Sequence, residues 1–420
     1  MPPILHTMKL PIVLSLAIIA TVRAADPVPS GEFTKIQLTP HFWGEGASFG
    51  DFNKDGKMDI VSGPYWYEGP DFTKRHAYTD DSKTSEIKKA DGTTEKIPGF
   101  KGALSNENEY SKNFLAFTED INGDGWTDIV ILGFPGEQSW WYENPKGAEG
   151  PWKQHVALDV TDGESPAFVD INGDGHREIV CMSGGFIGYA EPDPKHPDEK
   201  WHWHNISPKG EWQRFTHGFG VGDVNGDGRM DILEKDGWWE QPASLAGDPV
   251  WTKHDALFGG GGAQMYAYDV NGDGKNDIIT SLAAHGYGLA WFEQTNDGGV
   301  MGWKQHLIVG EKPEQNPQGI AFSQLHGIDL IDMNGDGLKD IVAGKRFWAH
   351  GPTGDPDPNG TPVLYWFELK RDGKEAHFVG HLIDDASGVG TQVVAGDING
   401  DKKPDVIVGN KRGTFVFLQK

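Results

Sequence analysis

The chain has one cysteine in 420 residues, so no intrachain disulfide can form. That residue, Cys181, follows the strand-like run Ile179-Val180 and reads as a small buried apolar side chain. Long hydrophobic runs are scarce. The run from Leu10 to Ala20 is too short to span a membrane. With Lys9 before it and Val22-Arg23-Ala24 after it, it has the form of a secretory signal over residues 1–24, cleaved before Ala25, with 25–32 as a linker. No cysteine follows it to carry a lipid. A secreted or periplasmic protein is expected. Positive charge is also in short supply: 37 Lys and Arg stand against 62 Asp and Glu, for a net charge of −25. That balance argues against nucleic acid and anionic membrane as partners. There is no G-x-S-x-G, no H-E-x-x-H and no phosphate loop, which argues against serine hydrolase, zincin and nucleotide chemistry.

What the chain has in abundance is one motif. D-x-N-x-D-G-x-x-D begins at Asp51, Asp120, Asp170, Asp223, Asp269, Asp332 and Asp397. Alternate side chains at positions 1, 3 and 5 point inward, a backbone carbonyl at 7 can join them, and a carboxylate at 9 closes the shell. All-oxygen ligation of this kind suits Ca²⁺. The expected ligand sets are Asp51, Asn53, Asp55 and Asp59; Asp120, Asn122, Asp124 and Asp128; Asp170, Asn172, Asp174 and Glu178; Asp223, Asn225, Asp227 and Asp231; Asp269, Asn271, Asp273 and Asp277; Asp332, Asn334, Asp336 and Asp340; and Asp397, Asn399, Asp401 and Asp405. Up to seven structural calcium ions are therefore expected. Three carboxylates in each of seven loops make 21 of the 62 acidic residues, so much of the acidity is ligand chemistry. Gly at position 6 permits the sharp turn. The seventh copy has Lys402 there and is expected to be the weakest site. The competing reading is a set of metal-free Asx-turns.

Each loop runs into a β-branched pair such as Ile60-Val61 or Ile341-Val342. An aromatic-acidic strand usually follows, as in Trp66-Tyr67-Glu68 or Trp366-Phe367-Glu368, and then a W-x-x-H-like strand, as in Trp152 to His155 or Trp251 to His254. That gives four short strands per unit without a convincing helix. The pattern predicts an all-β, seven-bladed β-propeller over residues 33–420. The segment from Phe33 has the place of a fourth strand and Gly413 to Leu418 that of a third, so the two termini are expected to close one sheet. The recurrent histidines read as structural residues of the outermost strand.

The loops and their spacing resemble the FG-GAP/VCBS repeat family, whose calcium-loop propellers include the integrin α head. The resemblance covers about residues 33–420 and implies architecture and metal, not activity.

Alternating strand direction leaves one mouth of the ring free of the metal loops. The insertions 80–112 and 345–362 fall there. Six residues before each loop stand Glu45, Phe114, Glu164, His217, Ala263, His326 and Thr391, equivalent positions at one height. Gln264 and Gln392 follow one position later, and the mouth loops add Tyr65, His285, Lys345, Arg346, His350, Lys411 and Arg412. None of these belongs to the repeat consensus. The stretch Phe322 to Gly351 is similar to the propeller part of aldos-2-ulose dehydratases, which implies a ketosugar pocket. On that reading His217 or His326 takes the α-proton. Lys345 or Arg346, or a further divalent metal held by the His/Glu ring, steadies the enolate, and Tyr65 or His350 protonates the leaving hydroxyl. Glu45, Glu164, Gln264, His285, Gln392, Lys411 and Arg412 would bind substrate. The alternative is a non-catalytic module for glycan capture or adhesion, with sugars stacked on Trp43, Tyr65, Tyr266, Phe347 and Trp348 and an extracellular protein as a further partner class.

Overall fold

A computed structural model describes residues 32–420, apart from 90 and 374. The signal and most of the linker expected over 1–32 lie outside the described residues. The fold is all-β and propeller-like. Among the described residues the helical content is a single 3-10 turn, Pro313–Gln315. No helix among them is long and apolar enough to cross a membrane.

The unit is a four-stranded antiparallel meander. In the simplest case Ala47–Gly50, Asp59–Ser62, Tyr65–Tyr67 and Arg75–Ala77 pair in chain order. Another four-stranded sheet repeats this with Ile328–Ile331, Asp340–Gly344, Leu364–Asp372 and Glu375–Asp384. Two larger sheets join neighbouring units. In the seven-stranded sheet a single 17-residue strand, Lys153–Val169, ends one meander and begins the next. In the eight-stranded sheet the first strands of two meanders, Phe219–Gly222 and Gln264–Tyr268, pair in parallel. Parallel pairing there means that neighbouring first strands run the same way, so their loop ends share a face.

The termini meet as the order of the parts predicts. Phe33–Thr39 pairs antiparallel with Gly413–Gln419, with Lys35 opposite Phe417 and Ile36 opposite Val416. The outer edge of that sheet is thus covered by the chain's own start. Leu115–Glu119 and Val393–Gly396 both lie beside Ala47–Gly50, so the first and last of the innermost strands are neighbours. A cavity of about 460 Å³ runs between the innermost strands, lined among others by Phe49, Phe117, Phe168, Val221, Tyr266, Ile328 and Val393.

The outer strands explain the W-x-E and W-x-x-H signals. In Trp66-Tyr67-Glu68, residues 66 and 68 share one face of the strand. His76 on the next strand stacks on Trp66 at 4.0 Å between centroids, and its Nε2 lies 3.1 Å from Glu68. The same clasp recurs as Trp141/His155/Glu143, Tyr189/His204/Glu191, Trp238/His254/Glu240, Trp291/His306/Glu293 and Trp366/His381/Glu368, with His–Glu contacts of 2.7–3.1 Å. The terminal sheet replaces it. There Lys35 lies over the Phe415 and Phe417 rings and pairs with Asp384 at 2.8 Å. Cys181 is fully buried, and burial pushes its thiol well above the ordinary range.

Candidate functional site at the loop-free mouth

Each innermost strand ends in a D-x-N-x-D loop, and the loops are pre-shaped by their own backbone. In the third, Asp170 accepts the N–H groups of Gly173, Asp174 and Gly175, Asn172 accepts that of Asp174, and Asp174 accepts that of His176. The position-9 carboxylates Asp59, Asp128, Glu178, Asp231, Asp277, Asp340 and Asp405 are fully buried, and each accepts the N–H of position 2. Burial pushes them up, to about 6 in Asp59, Asp231, Asp277 and Asp340, about 7 in Asp128 and about 8 in Glu178. Backbone N–H bonds to these carboxylates offset part of the shift, and in most of the loops the carboxylates at positions 1 and 5 add a smaller part to it. Oxygens of Asp170, Asp174 and Glu178 lie within 4.8 Å of one another, and Glu178 Oε1 is buried without a partner. This donor set fits a hard cation.

Two glycines per loop are explained, not one. Position 4 has positive φ as well as position 6: Gly173 stands at +80° and Gly175 at +95°. The first loop puts Lys54 at position 4 with φ +59°, and the seventh puts Lys402 at position 6 with φ +72°. Lys402 therefore keeps the loop's shape in a conformation that disfavours a Cβ.

At the opposite end the strands begin in residues that do not repeat, and four of the equivalent positions converge. Glu164 Oε2 lies 3.4 Å from His217 Nε2, 3.9 Å from His326 Nε2 and 3.4 Å from Arg346 Nη1. Arg346 Nη2 lies 3.0 Å from Glu45 Oε2, and Nε donates to the same oxygen at 3.1 Å. Phe114, another equivalent position, lies under the guanidinium at 5.4 Å. His285 joins from its loop, with ring centroids 4.9 Å from His217 and 4.4 Å from His326. His350 stacks on His285 at 4.3 Å and forms the exposed rim. Gly261 makes room for His217: with φ +103°, a Cβ there would meet the His217 carbonyl oxygen at 3.0 Å.

Electrostatics follow from burial. Burial alone would raise Glu164, but the His217 ring 3.4 Å away and the Arg346 charge outweigh it and hold the carboxyl at about 2. Burial and then Arg346 push His326 well below the ordinary imidazole range, so its ring is neutral. Burial lowers His285 too, against the opposing pull of Asp355. Lys345 is 1% exposed at its side chain, donates to Ser323 Oγ at 2.6 Å, and is brought down to about 8 by burial.

The other residues expected here are occupied elsewhere. The Gln264 amide spans strands, donating to the Thr391 carbonyl and accepting the Ile328 N–H. Gln392 does the same with both backbone groups of Ala116, so neither amide is free for substrate. Lys411 is fully buried and donates to Asn108 and to the Trp348 and Ala349 carbonyls, which ties the two insertions to the ring. Arg412 donates to the Ala386 carbonyl and lies over Phe347. The Tyr65 hydroxyl donates its proton to a hydrogen bond with Asp81, and burial followed by that bond raises it to about 12. The aromatics expected to stack sugars are turned inward. Trp43 packs edge-on against Tyr65, Phe347 stacks on Trp348, and the Tyr266 hydroxyl donates to the Ile328 carbonyl.

Sequence reasoning passed over three residues. Asp355 bridges the rim, 2.9 Å from His350 Nδ1 and 3.4 Å from His285 Nδ1; the only signal was its place in the 345–362 insertion. Gln324 is fully buried at φ +64°, and its backbone carbonyl and side-chain oxygen accept the backbone N–H groups of Arg346, at 2.8 Å, and Ala349. Phe215, two residues before His217, is 43% exposed and meets Phe134 edge-on, an outward-facing aromatic beside the cluster.

The model of the FG-GAP-like repeat matches residues 120–181, 269–343 and 332–408. No curated protein matches, so the sugar-lyase resemblance gains no support. Among solved structures, the V. cholerae biofilm matrix protein Bap1 is similar at 14% identity and TM-score 0.36, over 93% of this chain and 89% of that one. The Photorhabdus luminescens Tc holotoxin pore is similar at 15% identity and TM-score 0.37 over 86% of this chain, which spans 18% of that one. The three matched segments each carry the oxygen-rich loop that opens a strand, and the chain carries FG-GAP-like repeats.

Proposed function

We propose that this chain is an exported, calcium-stapled, seven-bladed propeller whose loop-free mouth binds a carbohydrate or similar polyhydroxylated ligand. Seven blades are supported by the sheet order: three separate four-stranded sheets, two units sharing the strand Lys153–Val169, and two joined through Phe219–Gly222. Calcium is supported by the oxygen-only donors and by buried carboxylates that crowd one another without a cation. Export is supported by the signal-like residues 1–24.

The observation that carries the binding reading is the convergence of Glu45, Glu164, His217, His326 and Arg346 from distant parts of the sequence. Repeat architecture does not require these residues, and burying them is costly unless they serve a partner. Phe215 supplies an exposed ring beside them for a sugar face. The test is a glycan array followed by calorimetry on wild type, Glu164→Gln and His217→Ala. Binding that the variants lose at least tenfold supports the reading. Binding that they retain in full, or no binding by wild type, overturns it.

One observation favours a second reading. A neutral His326 and a buried Lys345 held at about 8 occur at the same mouth. In a β-elimination, His326 would take the proton α to a carbonyl, Lys345 or Arg346 would steady the enolate, and the C–O bond would break with His350 protonating the departing hydroxyl. Ketosugars incubated with the protein would then gain the ultraviolet absorbance of a conjugated enone. A flat trace leaves the binding module as the function.

A further inference from the structure

We propose that Glu164, His217, His285 and His326 form a mononuclear site for a divalent first-row transition cation, at the opposite end of the molecule from the calcium loops. One ligand atom from each lies within 4.8 Å of all the others. A first-row ion holds nitrogen and oxygen ligands at about 2.0–2.2 Å, which places ligand atoms about 3–4 Å apart. The distances from Glu164 Oε2 to His217 Nε2 and His326 Nε2, 3.4 and 3.9 Å, fall in that range.

The proton geometry points the same way. A ligating imidazole usually donates its other ring N–H to a carboxylate or a carbonyl. His326 Nδ1 lies 3.5 Å from the Gln324 carbonyl, and His285 Nδ1 lies 3.4 Å from Asp355. With those nitrogens protonated, the Nε2 lone pairs are left for the metal. Nε2 of His217 and of His326 is buried and makes no hydrogen bond, and His326 is 2% exposed. A buried imidazole nitrogen with no partner is uncommon unless something else satisfies it.

The charge balance allows the ion. Glu45, Glu164, Asp355 and Asp357 face Lys345, Arg346 and Lys411, so the carboxylates outnumber the fixed cations. Donor type sets the class: three imidazoles and one carboxylate suit Zn²⁺, Co²⁺ or Mn²⁺, whereas Ca²⁺ and Mg²⁺ prefer oxygen. Asp355 is a positioning residue that orients His285. The inference rests on the mouth being the working face, and it is tested with metal alone so that the two can fail separately.

The experiment is a Co²⁺ titration of the full chain, stripped of transition metals and saturated with Ca²⁺. The background carries His202→Ala, because His202, His204 and Asp248 form a surface trio that can also hold a metal. One equivalent of Co²⁺ with visible d–d absorption is expected. Glu164→Gln and His326→Gln should each weaken binding at least 100-fold and abolish the bands. Asp355→Asn should weaken it about 10–100-fold. His254→Ala, in an outer clasp, should change nothing. Circular dichroism checks each fold; if His326→Gln does not fold, the rim residue His285→Gln carries the test. No Co²⁺ bound, or equal affinity in the folded ligand variants, overturns the proposal.

Discussion

The two ends of the innermost strands make opposite use of the same backbone. At one end every strand runs into the same oxygen-rich loop, and position 9 accepts the same backbone N–H in each copy. At the other end equivalent positions hold Glu45, Phe114, Glu164, His217, Ala263, His326 and Thr391, with little in common. The repeated end solves a problem shared by every unit: shaping a tight loop and fixing the strand that follows. The varied end has no such shared problem. Its residues contact one another across the ring rather than within a unit.

The comparison can be broken at several points. The largest effect is expected from chelation. An ion bound only to the folded state stabilises it by about 2.7 kcal/mol per site at a hundredfold excess over Kd. Excess EGTA should therefore lower the melting temperature steeply, and an unchanged melting curve would return the loops to metal-free Asx-turns. Next comes the mouth's ion pair. Arg346→Ala removes the buried cation that Glu45 and Glu164 share, leaving Glu45 only Lys411 at 3.8 Å, and should cost about 3–5 kcal/mol in urea unfolding. A cost below about 1 kcal/mol would mean that water already reaches the pair.

Lys345 sharpens the contrast through pH. Its folded-state value of about 8 lies below the ordinary 10.5, so the unfolded chain binds more protons between them. Stability should carry the full penalty below pH 8 and recover as pH rises toward 10.5. Lys345→Met should remove that rise, measured as the difference in unfolding free energy from wild type across the window. The outer clasps should give smaller and nearly uniform effects. His155→Ala loses a stacked ring and a hydrogen bond, about 1–2 kcal/mol, with no effect on ligand binding. Smallest is Lys402→Gly, which should stabilise by about 1 kcal/mol by relieving the positive φ.

The repeat made the fold legible. A fixed period carries both strand order and loop chemistry, so the pairing of Phe33–Thr39 with Gly413–Gln419 followed from counting strands. The convergence of Glu45, Glu164, His217 and His326 was legible for the same reason: equivalent positions share a height. What the period does not encode was not. His285 and Asp355 come from irregular loops, whose direction depends on Gln324 at φ +64° and on contacts made only in the folded ring. Gln264, Gln392, Lys411 and Arg412 stand at the right height, but nearby backbone groups needed partners and took their side chains first. The aromatics of the mouth were misread because large apolar rings bury themselves against one another unless a neighbour prevents it.

The most direct test is element-resolved anomalous diffraction from crystals grown with both Ca²⁺ and Co²⁺. Calcium signal confined to the D-x-N-x-D loops, and one cobalt peak among Glu164, His217, His285 and His326, is the predicted result. Cobalt in the loops with none at the mouth, or calcium at both ends, would contradict the division between a repeated structural face and a single working one.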